Sequence, residues 1–224
     1  MQTGGVRKLL DRFGFGWIIS SREEIKSVTL SDIKPIPLLG NFDSGFALGE
    51  YSIKESAKRE KTVMGHLLHK FKYEQDRHAG MILTDLASDF INRQVILKSC
   101  DLMLTVPPSF RSRSFDPVSF IAERIEEKTK IRWEKDVLKR TKLTTPQKSI
   151  WDKELKQLNV FNTFRLAKPL QLERKKILLI DDVCASGATL NEISHILRAA
   201  KADKIYVLVL VKTAYLPGSG SINY

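Results

Sequence analysis

The residues best placed to do chemistry lie in one short run, Ile177-Leu178-Leu179-Ile180-Asp181-Asp182-Val183-Cys184-Ala185-Ser186-Gly187-Ala188-Thr189-Leu190. An apolar strand would deliver the adjacent carboxylates of Asp181 and Asp182 to its C-terminal end. In an open α/β sheet, ligands bind in the crevice outside those strand ends. Ala185, Ser186, Gly187 and Ala188 are small enough for backbone N–H groups to close around a phosphate. A helix starting near Thr189 would add its positive dipole end, and the Ser186 and Thr189 hydroxyls further hydrogen bonds. Two carboxylates so close to a phosphate loop suit a polyol, a bound Mg²⁺, or both. An Asp-capped strand-turn-helix with no ligand would use similar residues, but the conjunction favours a site. No Gly-Lys-Ser/Thr follows, so this is not a Walker loop, and Gly14-Phe15-Gly16 is only a fragment of a dinucleotide fingerprint.

A second candidate loop begins at Pro107-Pro108, directly after the apolar run Leu102-Met103-Leu104-Thr105-Val106. If that run is a strand beside the one bearing Asp181, then Arg111 and Arg113 can meet a diphosphate, whose oxygens suit guanidinium forks. Two solvated arginines on a surface loop remain the alternative. Lys72 is a weaker candidate, because on spacing alone it reads as a snorkelling surface lysine. Gln147 and Thr144-Thr145 fit either a lid over a ligand or ordinary turn residues. His66, His69, His78 and His195 read as structural or exposed. Cys184 has no visible His partner and is not expected to act as a nucleophile.

The elements that must position these groups follow from periodicity. Ile177–Ile180 and Ile205–Val211 are all-apolar strands, and strands without polar alternation need cover on both faces. Helices are expected over 62–70, 78–91, 120–128 and 191–200, from apolar residues at helical spacing. Strands alternating with helices predict an α/β fold, a parallel sheet flanked by helices. Arg7–Phe13 reads as helical and Phe15–Ile19 as strand-like. Pro35-Ile36-Pro37 reads as an extended connector, Asn41–Tyr51 as a hairpin, Val137-Leu138 as a short strand, and Thr141–Leu158 as a polar hood or flap. The division expected is an N-terminal appendage over 1–55, a main domain over 56–214 and a flexible tail over 215–224.

Composition narrows the class. The chain has 224 residues, 42% hydrophobic and 28% charged, and an ordinary globular balance. No apolar run approaches the roughly 20 residues that span a bilayer, and the N-terminus lacks a signal-peptide stretch. Two cysteines, Cys100 and Cys184, exclude a disulfide framework and a Cys-rich zinc ribbon. A cytoplasmic protein without membrane contact is expected. The net charge is +11, and the segment 124–176, with 16 Lys and Arg against 7 Asp and Glu, carries nine of it. Such a segment can attract nucleic acid or a polyphosphate, or be a solvated face. No helix-turn-helix, zinc-finger or RNA-binding aromatic motif accompanies it.

At Asp181-Asp182 and Ala185–Thr189 the sequence resembles the type I phosphoribosyltransferases, whose signature is an apolar strand, two acidic residues and a Thr/Ser-Gly-x-Thr loop. Val106–Asp116 is similar to the ComF family's Val-Pro…Arg-x-Arg-Gly-Phe-Asn stretch, with Ser114 and Asp116 where Gly and Asn are usual. Leu138–Lys148 with Asn159-Val160 and Phe164 resembles that family's hood, and His69–Tyr73 its Lys-Tyr segment; the family's N-terminal zinc-binding cysteines are absent. The resemblance spans about residues 45–213. It implies a type I phosphoribosyltransferase-like sheet binding phosphoribosyl pyrophosphate. Ala185, Ser186, Gly187, Ala188 and Thr189 would grip the 5′-phosphate, and Asp181 and Asp182 would take the ribose hydroxyls and Mg²⁺. Pro108, Arg111 and Arg113 would serve the pyrophosphate, with Lys72 and Gln147 as further substrate contacts. The acceptor of any phosphoribosyl transfer is unassigned and oligomerisation is left open. The alternative is a repurposed subunit of the same fold, acting in a DNA-uptake or anti-phage complex with DNA, RNA or a nucleoprotein bound through 124–176.

Overall fold

An all-apolar strand must be covered on both faces, and the chain supplies that cover with helices of opposite placement. The computed structural model describes residues 28–55, 58–108, 115–141, 163–167 and 172–213. In chain order the elements are β1 (Ile36–Leu38), β2 (Ser44–Glu50), β3 (Ser52–Glu55), β4 (Lys58–Lys61), α1 (Val63–Tyr73), α2 (Arg77–Arg93) and α3 (Val95–Lys98). Then follow β5 (Leu102–Thr105), α4 (Pro117–Thr129), β6 (Arg132–Trp133), β7 (Leu138–Arg140), β8 (Phe164–Leu166), β9 (Lys176–Cys184), α5 (Ala188–Ala199) and β10 (Lys204–Lys212).

Six strands form one sheet in the order β1-β2-β10-β9-β5-β6. All neighbours run parallel except β1, which pairs antiparallel with β2. The sheet is thus α/β with mostly parallel strands, as expected. β3–β4 and β7–β8 are separate antiparallel ribbons. Alternation along the central strands divides the core. Leu178, Ile180, Leu208 and Leu210 pack with α1, α2 and α4 on one face. Ile177, Leu179, Val207 and Val209 pack with Leu190, Ile193 and Leu197 of α5 on the other. The four residues Ile177–Ile180 are all buried, each worth about 1.5–3 kcal/mol of transfer free energy.

This layering creates the crevice. The chain leaves β5 over one face through α4 and leaves β9 over the other through α5. The β5–β9 boundary is therefore a topological switch point, where ligands bind in open sheets.

Helix starts follow the capping rules. Asp76 Oδ1 accepts the N–H groups of His78 (2.9 Å) and Ala79 (3.1 Å). Asp116 Oδ1 accepts those of Val118 (3.1 Å) and Ser119 (3.4 Å), with Pro117 at the first helical position. Thr62 Oγ1 accepts from Gly65 N at 3.0 Å and donates to Glu50 O. Gly65 sits so close to β2 that a Cβ there would lie 1.9 Å from the Tyr51 carbonyl oxygen. The helix α1 is thereby seated hard against the C-terminal end of β2.

Two local expectations are corrected. Ile36–Leu38 is not a bare connector but an edge strand, the place in a sheet where a proline such as Pro37 is tolerated. Asn41–Tyr51 is not a hairpin folded on itself. Ser44–Glu50 is one strand that pairs in parallel with β10, Tyr206 against Ser44 and Val211 against Gly49. Local turn chemistry cannot foresee a partner some 160 residues away. Residues 36–50, within the range assigned from sequence to an N-terminal appendage, supply two of the six strands. The segments 1–27, most of the expected hood and the tail lie outside the described residues.

Asp43 locks the entry to β2. Its carboxylate accepts the Ile205 N–H at 2.9 Å and pairs with Lys204 at 3.0 Å and with Arg198. Burial pushes this carboxyl up, but the Ile205 N–H, Lys204 and Arg198 outweigh it and hold it below its ordinary value. A depressed native pKa adds stability that is present above the unfolded-state value near 4 and is lost as pH falls through the native one. Asp43→Asn should therefore lose about 1–2 kcal/mol at pH 7 in urea unfolding. The gap to wild type should close as pH approaches 3; a gap independent of pH contradicts the assignment.

Candidate functional site

The strand β9 runs past its apolar half and carries Asp181 and Asp182 into its C-terminal end, so the loop proper is only Ala185–Gly187. Helix α5 begins at Ala188, one residue earlier than the sequence suggests. Gly187, at φ 79°, ψ 0°, makes the turn into the helix, a left-handed conformation that side chains resist. No atom lies within 4 Å of where its Cβ would be, so conformation rather than crowding selects glycine. Ser186 Oγ accepts from Ala188 N at 3.4 Å. Ala185, Ser186, Gly187 and Thr189 are partly exposed and Ala188 is buried.

Lys72 meets this strand end. Near the C-terminus of α1, its Nζ lies 2.7 Å from Asp182 Oδ2, with the two side chains only 15% and 13% exposed. Burial works to lower the Lys72 ammonium, but the Asp182 carboxylate outweighs it and holds the ammonium above its ordinary value. The helix seat at Gly65 sets this reach. A sequence window cannot show it, because the partner lies 110 residues away.

Asp181 is the strained member. Burial, then the Asp182 carboxylate, pushes its carboxyl up to about 8, against the pull of the Asp182 N–H, Lys72 and Arg140. The Asp182 N–H donates to Asp181 Oδ1 at 2.8 Å. Nearby, burial and then the Asp181 carboxylate push the Cys184 thiol up to about 11, which removes it from nucleophilic chemistry at neutral pH.

The strand that leads into the second loop lies beside β9. Leu102–Thr105 pairs in parallel with Ile177–Ile180, and Val106 N donates to Ile180 O at 3.0 Å. Pro107 is partly exposed and Pro108 exposed, leading out of the strand beside Asp181. Arg111, Arg113, Thr144-Thr145 and Gln147 lie outside the described residues. Asp116 caps α4, a task that an Asn oxygen performs equally well.

Two residues beside the site carried no assignment from sequence. Arg140, at the end of β7, is half-buried, with Nη2 3.5 Å from Pro107 O and its guanidinium 4.5 Å from the Phe164 ring centroid. Glu192, in the second turn of α5, accepts the N–H groups of Thr163 at 2.7 Å and Phe164 at 3.2 Å through Oε1. The run of basic residues around Arg140 hid the first, and the polar face of an amphipathic helix hid the second.

Among the described residues, no group of three or more His, Cys, Asp or Glu could cage a metal ion. The donor set is two adjacent carboxylates. That fits Mg²⁺ as proteins commonly hold it, through one or two carboxylates completed by substrate phosphates and water.

An Asp with a native pKa raised above its unfolded value favours the fold at low pH, and this contribution is lost as pH rises towards about 8. Asp181→Asn should therefore stabilise the ligand-free protein against urea at pH 8, and by a smaller margin at pH 5. A margin that does not grow with pH contradicts the buried-pair assignment.

The phosphoribosyl transferase domain model matches residues 111–217. Competence protein F of Haemophilus influenzae is 27% identical over 200 residues, covering 80% of this chain and 86% of that protein. DNA utilization protein YhgH of Escherichia coli O6:H1 is 26% identical over 153 residues, 66% of each chain. Among solved structures, glutamine phosphoribosylpyrophosphate amidotransferase from B. subtilis matches with a TM-score of 0.40 at 19% identity, over 58% of this chain and 26% of that one. Purine phosphoribosyltransferase from Pyrococcus horikoshii matches with a TM-score of 0.38 at 16% identity, over 60% and 79%. Residues 111–217 thus match a phosphoribosyl transferase domain, and over most of its length the chain is similar to Competence protein F.

Proposed function

We propose that the crevice at the ends of β5 and β9 binds phosphoribosyl pyrophosphate with Mg²⁺ and transfers the phosphoribosyl group to an acceptor. The observation that carries this reading is the Asp181-Asp182 pair beside the Gly187 turn, at the sheet's switch point. The loop 185–189 and the α5 N-terminus receive the 5′-phosphate, with the Ser186 and Thr189 hydroxyls donating. Asp181 and Asp182 accept from the ribose hydroxyls and hold Mg²⁺, which when bound supplies positive charge to the pyrophosphate. Pro108 leads the chain towards Arg111 and Arg113, which neutralise the departing pyrophosphate, and Gln147 adds a further contact. Lys72 keeps Asp182 charged and oriented. As the ribose C1 gains oxocarbenium character, the catalysis asked of these residues is mostly electrostatic, with no dedicated base among them. Turnover of this kind belongs in a cytoplasmic setting; among the described residues no helix is long and apolar enough to cross a membrane.

Calorimetry with phosphoribosyl pyrophosphate and Mg²⁺ tests the reading. Wild type should bind, and Asp181→Asn/Asp182→Asn should lose at least about tenfold in affinity. No binding by wild type overturns it.

A second role, docking on DNA, RNA or a nucleoprotein, is supported by the names of the two relatives and by the basic segment 124–176. Part of that charge is already engaged. Lys128 pairs with Asp85 at 2.7 Å, Arg132 with Glu134 at 2.8 Å, and Lys135 with Glu123 at 3.8 Å. Lys135 also lies over Trp133 and Arg124 over Phe120. Docking through the remainder predicts duplex DNA affinity that falls steeply with salt on a log–log titration; a flat response contradicts it.

A further inference from the structure

Arg140 stands where three parts of the chain converge. Its Nη2 is 3.5 Å from the carbonyl oxygen of Pro107, the residue that leads out of β5 into the second loop. Burial holds its guanidinium below the ordinary value, against the opposing pull of the Asp181 and Glu192 carboxylates. The β7–β8 ribbon packs Leu138 and Phe164 into the core on the α5 face of the sheet, whereas α1 covers the other face. Lys72 and Arg140 therefore approach the Asp181-Asp182 strand end from opposite faces.

The guanidinium is held in place by a chain of contacts. Arg140 and Phe164 are directly opposed across the ribbon, and the ring lies under the guanidinium at 4.5 Å. Phe164 and Thr163 are tied by their N–H groups to Glu192 Oε1. Thr163 is fully buried, so its N–H requires an acceptor inside the protein. It also anchors the far side of the ribbon, accepting the Thr141 N–H at 2.7 Å through its carbonyl. Glu192 belongs to α5, the helix whose N-terminus forms the small-residue loop. One rigid helix thus sets both the loop and the ribbon that carries Arg140.

A planar fork stacked on a ring loses little freedom when it binds and suits two oxygens of a diphosphate at once. We propose that Arg140 contacts the pyrophosphate of the bound ligand from the Pro107 side, and that Glu192 is the positioning residue that fixes Arg140 there. This rests on reading the crevice as a phosphoribosyl pyrophosphate site. It adds two residues to that site, one of them remote from the ligand.

The test compares phosphoribosyl pyrophosphate with ribose 5-phosphate, which lacks the diphosphate, by calorimetry with Mg²⁺. Arg140→Ala should weaken the first about 10- to 100-fold and leave the second within about twofold. Arg140→Lys, which keeps the charge and loses the fork, should show the same selectivity at roughly tenfold. Glu192→Ala should give the same selective loss, and the double variant should be no weaker than Arg140→Ala alone. Glu192→Gln, which keeps an acceptor for both N–H groups, should restore most of the affinity. Equal losses for both ligands, or none, overturn the proposal, and an additive double variant overturns the positioning role. If the alanine variants fail to fold, the selectivity of Arg140→Lys decides for Arg140, and retained affinity in Glu192→Gln decides for the clasp. A wild type that binds neither ligand overturns the crevice reading itself, and this proposal with it.

Discussion

Two carboxylates on consecutive residues at the end of a buried strand repel each other in surroundings that screen poorly, and the rest of the site is arranged around that repulsion. Lys72 offsets it directly, at 2.7 Å from Asp182. Asp181 is left with burial and its neighbour both driving its carboxyl towards protonation. Charge placed this way costs stability in the ligand-free protein. It is worth keeping where a ligand's hydroxyls or a bound cation will meet the carboxylates.

The architecture exists to hold that strand end still. β9 lies in the interior of the sheet, registered to β10 on one side and to β5 on the other. Its residues Ile177–Ile180 are packed from both faces. The seat of α1 against Tyr51 leaves no room even for a methyl group, so the distance from β2 to Lys72 is fixed by backbone contact rather than by side chains. On the opposite face, α5 supports the strand end, the small-residue loop and the β7–β8 ribbon together. A displacement of that helix would be felt at each of them.

Much of this was legible in the sequence where local chemistry determines structure. The unbroken apolar runs at 177–180 and 205–211 announced two-sided burial, and the carboxylate pair before small residues marked the candidate site. Asp116, an unusual residue at its place in the ComF-like pattern, turned out to cap α4, a role open to either side chain. What could not be read depended on contacts between distant segments. Ser44-Gly45 resembles a turn, yet β10 holds it as strand. Lys72 looked like a surface lysine because its partner is far along the chain. Arg140 sits in a run of basic residues, and only the fold shows that its guanidinium stacks on Phe164 and reaches the Pro107 carbonyl.

The match to a phosphoribosyl transferase domain over residues 111–217 gives the kind of domain, while the chemistry proposed for its crevice rests on the aspartate pair and the loop after it. The most direct measurement is a crystal structure of the protein grown with phosphoribosyl pyrophosphate and Mg²⁺. The expected density places the 5′-phosphate on the backbone of residues 185–189 and the ribose hydroxyls against Asp181 and Asp182. A ligand seated away from the β5–β9 boundary, or an aspartate pair still closed on Lys72 with no ligand beside it at saturating concentration, would contradict it.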